Sequence, residues 1–157
     1  MPGVGPAGVD HLDLVVSDLD RSLALYRALL EPLGYARATT IAGERGERVV
    51  YLGGDGLVAV SLREAQTPGA HDRYRVGLHH VAFRAPSRAV VDERLGWVRG
   101  QGLAIESDPR EYGYQAGYYA GFFSDPDGLP AAQGGPGSER ICSIANRRSA
   151  APTPIRA

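Results

Sequence analysis

Hydrophobic residues alternate along Val9–Val16, with Leu12, Leu14 and Val16 on one parity and His11, Asp13 and Val15 on the other. Strand side chains point alternately to two faces, so the segment reads as a strand with one apolar face. Ser17 or Asp18 then offers a helix cap, a side-chain oxygen that accepts from the free N–H groups of a first turn. Leu19, Leu23, Tyr26, Leu30 and Leu33 recur at three- and four-residue steps, the stripe of an amphipathic helix that Pro32 and Gly34 end. Short strands are predicted over Tyr35–Ile41, Glu47–Leu52 and Leu57–Arg63, with turns at Gly43 and at Gly53-Gly54-Asp55-Gly56. Residues 9–66 therefore read as β-α-β-β-β, preceded by a flexible arm over residues 1–8.

After a polar linker over residues 67–76 the pattern returns. Gly77-Leu78-His79-His80-Val81-Ala82-Phe83-Arg84 echoes Gly8-Val9-Asp10-His11-Leu12-Asp13-Leu14-Val15, and aligning Gly8 on Gly77 puts His11 on His80. A strand followed by a cap and a helix, repeated at one offset, marks two copies of one supersecondary unit. Ser87 caps the second helix, Val91, Leu95 and Val98 form its apolar stripe, and Gly100 and Gly102 stop it. A strand over Leu103–Glu106, a Tyr-rich loop over Asp108–Gly117 and an aromatic strand over Tyr118–Ser124 follow. Asp125-Pro126-Asp127-Gly128 then makes a strong turn.

The second copy, residues 77–129, needs one more strand after Gly128. Leu129 to Gly137 holds two prolines and three glycines, residues that remove ladder donors and weaken strand interiors. The last strand is expected to be impaired. The tail over residues 130–157 is expected to be disordered, because it has few large apolar groups to offset its ordering entropy.

Composition narrows the function. The formal net charge of −1 gives no electrostatic reason to expect nucleic acid. Cys142 is the single cysteine, which excludes an intrachain disulfide and a zinc-thiolate cluster and fits a cytoplasmic setting. The amino-terminal residues lack the basic and apolar regions of a signal peptide, and no run is long enough to span a bilayer. Gly3-Val4-Gly5-Pro6-Ala7-Gly8 matches a dinucleotide-binding pattern but lacks the strand before it and the helix after it.

Candidate chemistry begins with His11 and His80. If the two units pair about a pseudo-twofold axis, both imidazoles point into one cavity, on the faces away from the helices. Neutral imidazole is a common ligand for divalent Fe, Mn, Ni or Zn, and Asp13 shares the face of His11. The other reading leaves each histidine merely hydrogen-bonded at a strand start. Arg84, Tyr112, Tyr114, Tyr119, Phe123 and Ser61 are candidate pocket residues. The tyrosines and phenylalanines around them, Tyr118 and Phe122 included, are able to form an aromatic wall for a small ligand, or else to serve as core.

Val9-Asp10-His11-Leu12-Asp13-Leu14-Val15-Val16-Ser17-Asp18-Leu19, then Gly77-Leu78-His79-His80-Val81-Ala82-Phe83, then Phe123-Ser124-Asp125-Pro126-Asp127-Gly128 resemble the vicinal oxygen chelate superfamily. That group includes glyoxalase I, extradiol dioxygenases, fosfomycin-resistance enzymes and bleomycin-resistance proteins. The resemblance covers residues 9–128. It implies an α+β fold of two β-α-β-β-β modules whose curved mixed sheets enclose a site. It also implies metal-ligand positions at His11 and His80. The glyoxalase-type pattern has a carboxylate on the fourth strand of each module; here those positions are Ser61 and Ala132.

Three functions are therefore expected in order. The first is a glyoxalase- or dioxygenase-like enzyme that uses a divalent metal to chelate the oxygens of a small-molecule substrate. The second is a binder of the bleomycin-resistance type that sequesters its ligand without a metal. The third is a dimerisation module with a vestigial site, since an exposed sheet edge invites pairing with a second copy.

Overall fold

The computed structural model describes residues 8–67 and 69–135. They form two compact units: one holds the described residues from Gly8 to His79 together with Ser124–Leu129, the other His80–Phe123 and Pro130–Gly135. Expectations for residues 1–7 and for the chain after Gly135, Cys142 among them, lie outside the described residues. No helix among the described residues is long and apolar enough to cross a membrane.

In the first unit β1 (His11–Val16) leads to α1 (Leu19–Leu30), a 3-10 turn (Glu31–Leu33), β2 (Arg37–Ala42), β3 (Arg48–Gly53) and β4 (Ala59–Glu64). The sheet order is β1-β4-β3-β2. β1 runs parallel to β4, and the other pairs are antiparallel. Asp18, rather than Ser17, caps α1 by accepting from the Arg21 amide at 2.9 Å. Leu19, Tyr26, Leu29 and Leu30 bury the apolar side of α1, and Leu14, Val16, Val50, Leu52, Val60 and Leu62 supply the buried strand residues. Each large aliphatic group removed from water contributes about 1.5–3 kcal/mol. Gly54 tightens the turn before β4: a Cβ there would lie 2.1 Å from the Gly34 carbonyl oxygen.

The second unit repeats the topology. β5 (Val81–Arg84), α2 (Arg88–Gly100), β6 (Ile105–Glu111), β7 (Tyr119–Ser124) and β8 (Pro130–Gly134) give the order β5-β8-β7-β6, with β5 parallel to β8. Ser87 caps α2 by accepting from the Val90 amide at 3.3 Å. Val91, Leu95 and Val98 are buried on α2, and Val81, Phe83 and Phe123 on the strands. Gly121 admits α2 closely, since a Cβ there would meet Leu95 Cγ at 2.7 Å.

Two sequence expectations need correction. β6 runs on to Glu111, well beyond Glu106, through what the sequence presents as loop. Two register shifts, between Ile105 and Ser107 and between Ser107 and Arg110, absorb Pro109 within the irregular part of the ladder. The disorder expected from Pro130 onward does not hold for Pro130–Gly134, which form β8 and are buried throughout. Pro130 is the first residue of the strand, where a missing donor is tolerated. Gly134 accepts from the Ala85 amide at 2.6 Å, and Gly135 donates to the Tyr119 carbonyl at 2.8 Å. Gly135 also leaves room for α2, because a Cβ there would lie 3.4 Å from Arg88 N and from Val91 Cγ2.

Candidate functional site

Strand parity sorts the candidate residues of the first unit. The register pairs His11 with Ala59, Asp13 with Ser61 and Val15 with Arg63, and Tyr51 with Ser61 across β3 and β4. His11, Asp13, Ser61, Arg63 and Tyr51 therefore share the face away from α1. The His11 ring meets Tyr51 edge-on at 5.5 Å between centroids, and its Nδ1 lies 2.9 Å from Asp10 Oδ2. Ser61 is fully buried, and its hydroxyl donates to the Leu12 carbonyl at 3.5 Å.

The carboxylates on this side of the sheet turn toward one cation. Arg63 donates to Asp13 Oδ2 at 2.8 Å, to Glu44 Oε2 at 3.0 Å and to Glu47 Oε1 at 3.1 Å. Arg45 approaches Glu44 and Glu47 at 3.6 and 3.7 Å. The backbone amide of Glu44 and then the Arg63 guanidinium hold the Glu44 carboxyl below the usual range. Glu47 is lowered chiefly by its own amide. None of these arginine partners is visible in the strand pattern that singles out Asp13.

A groove of about 600 Å³ lies along β1 in the same unit, between Asp13–Ser17, the 69–78 segment and the turn at Asp125–Leu129. The turn is held firmly. Asp125 Oδ1 accepts from the amides of Asp127 and Leu129 at 2.9 and 2.8 Å, and Oδ2 accepts from the Tyr26 hydroxyl at 2.8 Å. Burial pushes the Asp125 carboxyl up against the lowering effect of those donors, and burial beside Asp125 pushes the Tyr26 hydroxyl far up. Asp127 accepts from the Ser17 amide at 2.9 Å, from the Ser17 hydroxyl and from Arg21 at 3.1 Å. His71 lines the groove and anchors to the turn through its amide, which donates to the Asp127 carbonyl at 2.8 Å. Sequence reasoning misses His71, because a histidine in a polar linker carries no periodic signal.

In the second unit His80 directly precedes β5 and Arg84 ends it; both are exposed. Ala132 pairs with Ala82 and is fully buried. The expected pocket aromatics separate by parity along β7. Phe123 is core, and Tyr119 turns to α2, where its hydroxyl donates to Asp92 Oδ1 at 2.6 Å under the Arg88 guanidinium. Tyr112 and Tyr114 gather instead with Tyr118 and Phe122. The Tyr112 and Tyr114 rings are stacked at 5.5 Å and 6°. Tyr118 and Phe122 approach Tyr112 at 61° and 86°. Two members of the expected pocket are thus brought together in this unit, and Tyr119 and Phe123 are not part of that group.

A divalent metal needs a converging set of donors, and the positions where the glyoxalase-type pattern has carboxylates do not supply one. Ser61 is neutral and already hydrogen-bonded, Ala132 has no donor atom, and Asp13 is engaged by Arg63. Among the described residues no three His, Cys, Asp or Glu side chains gather as a metal-binding group.

Comparison with known proteins agrees with the duplicated topology. The sequence profile of the Glyoxalase/Bleomycin resistance protein/Dioxygenase superfamily matches residues 8–131. An uncharacterized protein of Bacillus subtilis, YqjT, is 31% identical over 119 residues, covering 74% of this chain and 90% of its own. A glyoxylase/bleomycin resistance protein/dioxygenase domain from Frankia sp. EAN1pec superposes with a TM-score of 0.67 at 22% identity, over 83% of this chain and 93% of that one. A putative glyoxalase from Bacillus halodurans gives 0.63 at 27% identity, over 82% and 95%. The fosfomycin resistance protein FosX of Listeria monocytogenes, solved with Mn(II) and a sulfate ion, shares the fold with a TM-score of 0.59 at 18% identity, over 86% and 97%. With the profile spanning both copies of the repeat, the chain belongs to the Glyoxalase/Bleomycin resistance protein/Dioxygenase superfamily.

Proposed function

We propose that this chain is a small-molecule-binding member of its superfamily that works without a divalent metal. The observation that carries this reading is the donor set: Ser61 and Ala132 stand where the glyoxalase-type pattern has carboxylates, and both are fully buried. Two neutral imidazoles without carboxylates supply little charge to offset a dication. Asp13, the nearest substitute, is neutralised by Arg63. What the sheet faces offer a ligand is aromatic surface: Tyr51 and His11 in the first unit, Tyr112 and Tyr114 in the second.

The test is metal analysis of the purified protein together with calorimetric titration of aromatic carboxylates, with and without a chelator. The expected result is metal well below one equivalent and binding that the chelator leaves unchanged. The metal-dependent alternative takes His11 and His80 as ligands. Stoichiometric Fe, Mn, Ni or Zn that is lost in both His11→Ala and His80→Ala would establish that alternative and overturn the present reading.

A further inference from the structure

We propose that the hairpin joining β6 to β7 is a stacking platform for a planar aromatic ligand that carries an anionic group. The proposal names the ligand class for the surface just described, and so rests on the reading of that surface as a binding site.

The rings are arranged before any ligand arrives. Tyr112 and Tyr114 lie parallel within 6°, with centroids 5.5 Å apart. Phe122 stands perpendicular to Tyr112 at 5.2 Å, and Tyr118 meets Tyr112 and Tyr114 at 6.3 and 6.0 Å. The Tyr112 hydroxyl shares a hydrogen bond with Ser107 Oγ at 2.5 Å. The backbone is fixed as well. The Tyr112 amide donates to the Tyr118 carbonyl at 2.9 Å, and the Tyr118 amide to the Gln115 carbonyl at 3.1 Å. Gly117, at φ +78°, supplies the left-handed position that this last turn needs. Ordering costs that binding would otherwise meet are therefore already met by folding.

The stack ends in an open ring. Tyr114 is 68% exposed, an unusual setting for an aromatic side chain whose neighbours are packed. Beside it a shallow, open depression is lined by Glu111, Tyr112, Gly113, Gln115, Ala116 and Gly117. A flat aromatic ring extends the Tyr112–Tyr114 stack in the offset geometry that ring quadrupoles favour; a puckered aliphatic ring does not.

Charge selects the substituent. The Arg110 guanidinium lies 4.7 Å from the Tyr112 ring centroid. The acids of the same strand turn to other cations: Glu111 pairs with Arg88 at 3.1 Å and Asp108 with Arg99. Arg88 is occupied by Glu111 on the Tyr119 side of the strand, beside Asp92, so the Arg110 guanidinium over Tyr112 is the charge that the aromatic side presents, which favours a carboxylate, sulfonate or phenolate on the ligand.

The experiment titrates 2-naphthoate, cyclohexanecarboxylate and 2-naphthylmethylammonium into the full chain carrying ring-13C tyrosine, with neutral 2-naphthylmethanol as a charge control for the arginine variant. 2-Naphthoate is expected to give saturable shifts of the Tyr112 and Tyr114 ring signals, with the other two probes at least about tenfold weaker. Tyr114→Ala should weaken 2-naphthoate by about tenfold, while Tyr114→Phe, which keeps the ring face, should retain it. Arg110→Gln should weaken 2-naphthoate and leave neutral 2-naphthylmethanol unchanged. Equal binding of cyclohexanecarboxylate, preference for the ammonium probe, or indifference to Tyr114→Ala would overturn the platform. Metal content is measured on the same samples. Stoichiometric metal beside intact 2-naphthoate binding refutes the metal-free reading alone, and metal-free protein that ignores 2-naphthoate refutes the platform alone.

Discussion

Replacing Gln133 with methionine should make the protein more stable. Gln133 lies on β8, pairs in register with Phe83 and shares its parity, which faces α2. It is fully buried, and neither its Oε1 nor its Nε2 has a hydrogen-bond partner among the described residues. A buried polar group left unpaired costs about 1–3 kcal/mol, so the amide carries a gross penalty of roughly 2–6 kcal/mol. Methionine has the same chain length and fills the same space without polar atoms, which keeps repacking strain small. Allowing for partial relaxation around the amide, the net gain is about 2 kcal/mol. For a chain of this size that raises Tm by about 4–8 °C. Urea unfolding followed by Trp97 fluorescence and far-UV circular dichroism reads the change as a higher midpoint at unchanged slope. Gln133→Glu should move the other way, since a buried unpaired carboxylate is costlier still. A Gln133→Met midpoint at or below the parent's would refute the reasoning, because it would mean that the amide is satisfied in solution.

Gly121→Ala should cost about 1–3 kcal/mol by overpacking against Leu95, and the loss should shrink in a Leu95→Ala background, which a double-mutant cycle in urea measures. Tyr26→Phe removes the hydroxyl that donates to buried Asp125 and should cost about 1.5–3 kcal/mol in the same assay, because the acceptor is a carboxylate. The Tyr26 hydroxyl is raised in the folded state, so its contribution is present below the ordinary tyrosine value near pH 10 and lost as pH rises above it. The parent should therefore lose an alkaline stability component that Tyr26→Phe lacks, visible in midpoints measured from pH 8 to 11. The Asp125 carboxyl is raised too, so its contribution is present below about pH 4 and lost as pH rises through the folded value. The stability of the parent relative to Asp125→Asn should fall from pH 3 toward neutrality.

Much of the architecture was legible in the sequence because it is local. Parity along Val9–Val16 placed His11 and Asp13 on the face opposite Leu14 and Val16, and the register confirms it. The caps at Asp18 and Ser87 and the turn at Asp125–Gly128 follow from the chemistry of a few consecutive residues. The repeat of His11 at His80 announced two copies of one unit, and both sheets share one strand order, β1-β4-β3-β2 and β5-β8-β7-β6.

Other features depend on partners far along the chain, and no window of sequence contains them. Arg63 gathers Asp13 from fifty residues away, which changes a candidate ligand into half of an ion pair. Asp127 looks like a turn residue until Ser17 and Arg21 reach it across the first unit. Pro130–Gly134 have the composition of a loop, yet β5 and β7 on either side satisfy their backbone. The aromatic run from Tyr112 to Phe123 reads as one wall in sequence. Pleating and two bulges divide it, sending Phe123 and Tyr119 toward α2 and collecting Tyr112, Tyr114, Tyr118 and Phe122 at the hairpin. Periodicity and capping are set by neighbouring residues, so the sequence determined them by itself. Which charges meet, which amides go unpaired and which rings stack are set by distances between segments, and only the tertiary structure decided those.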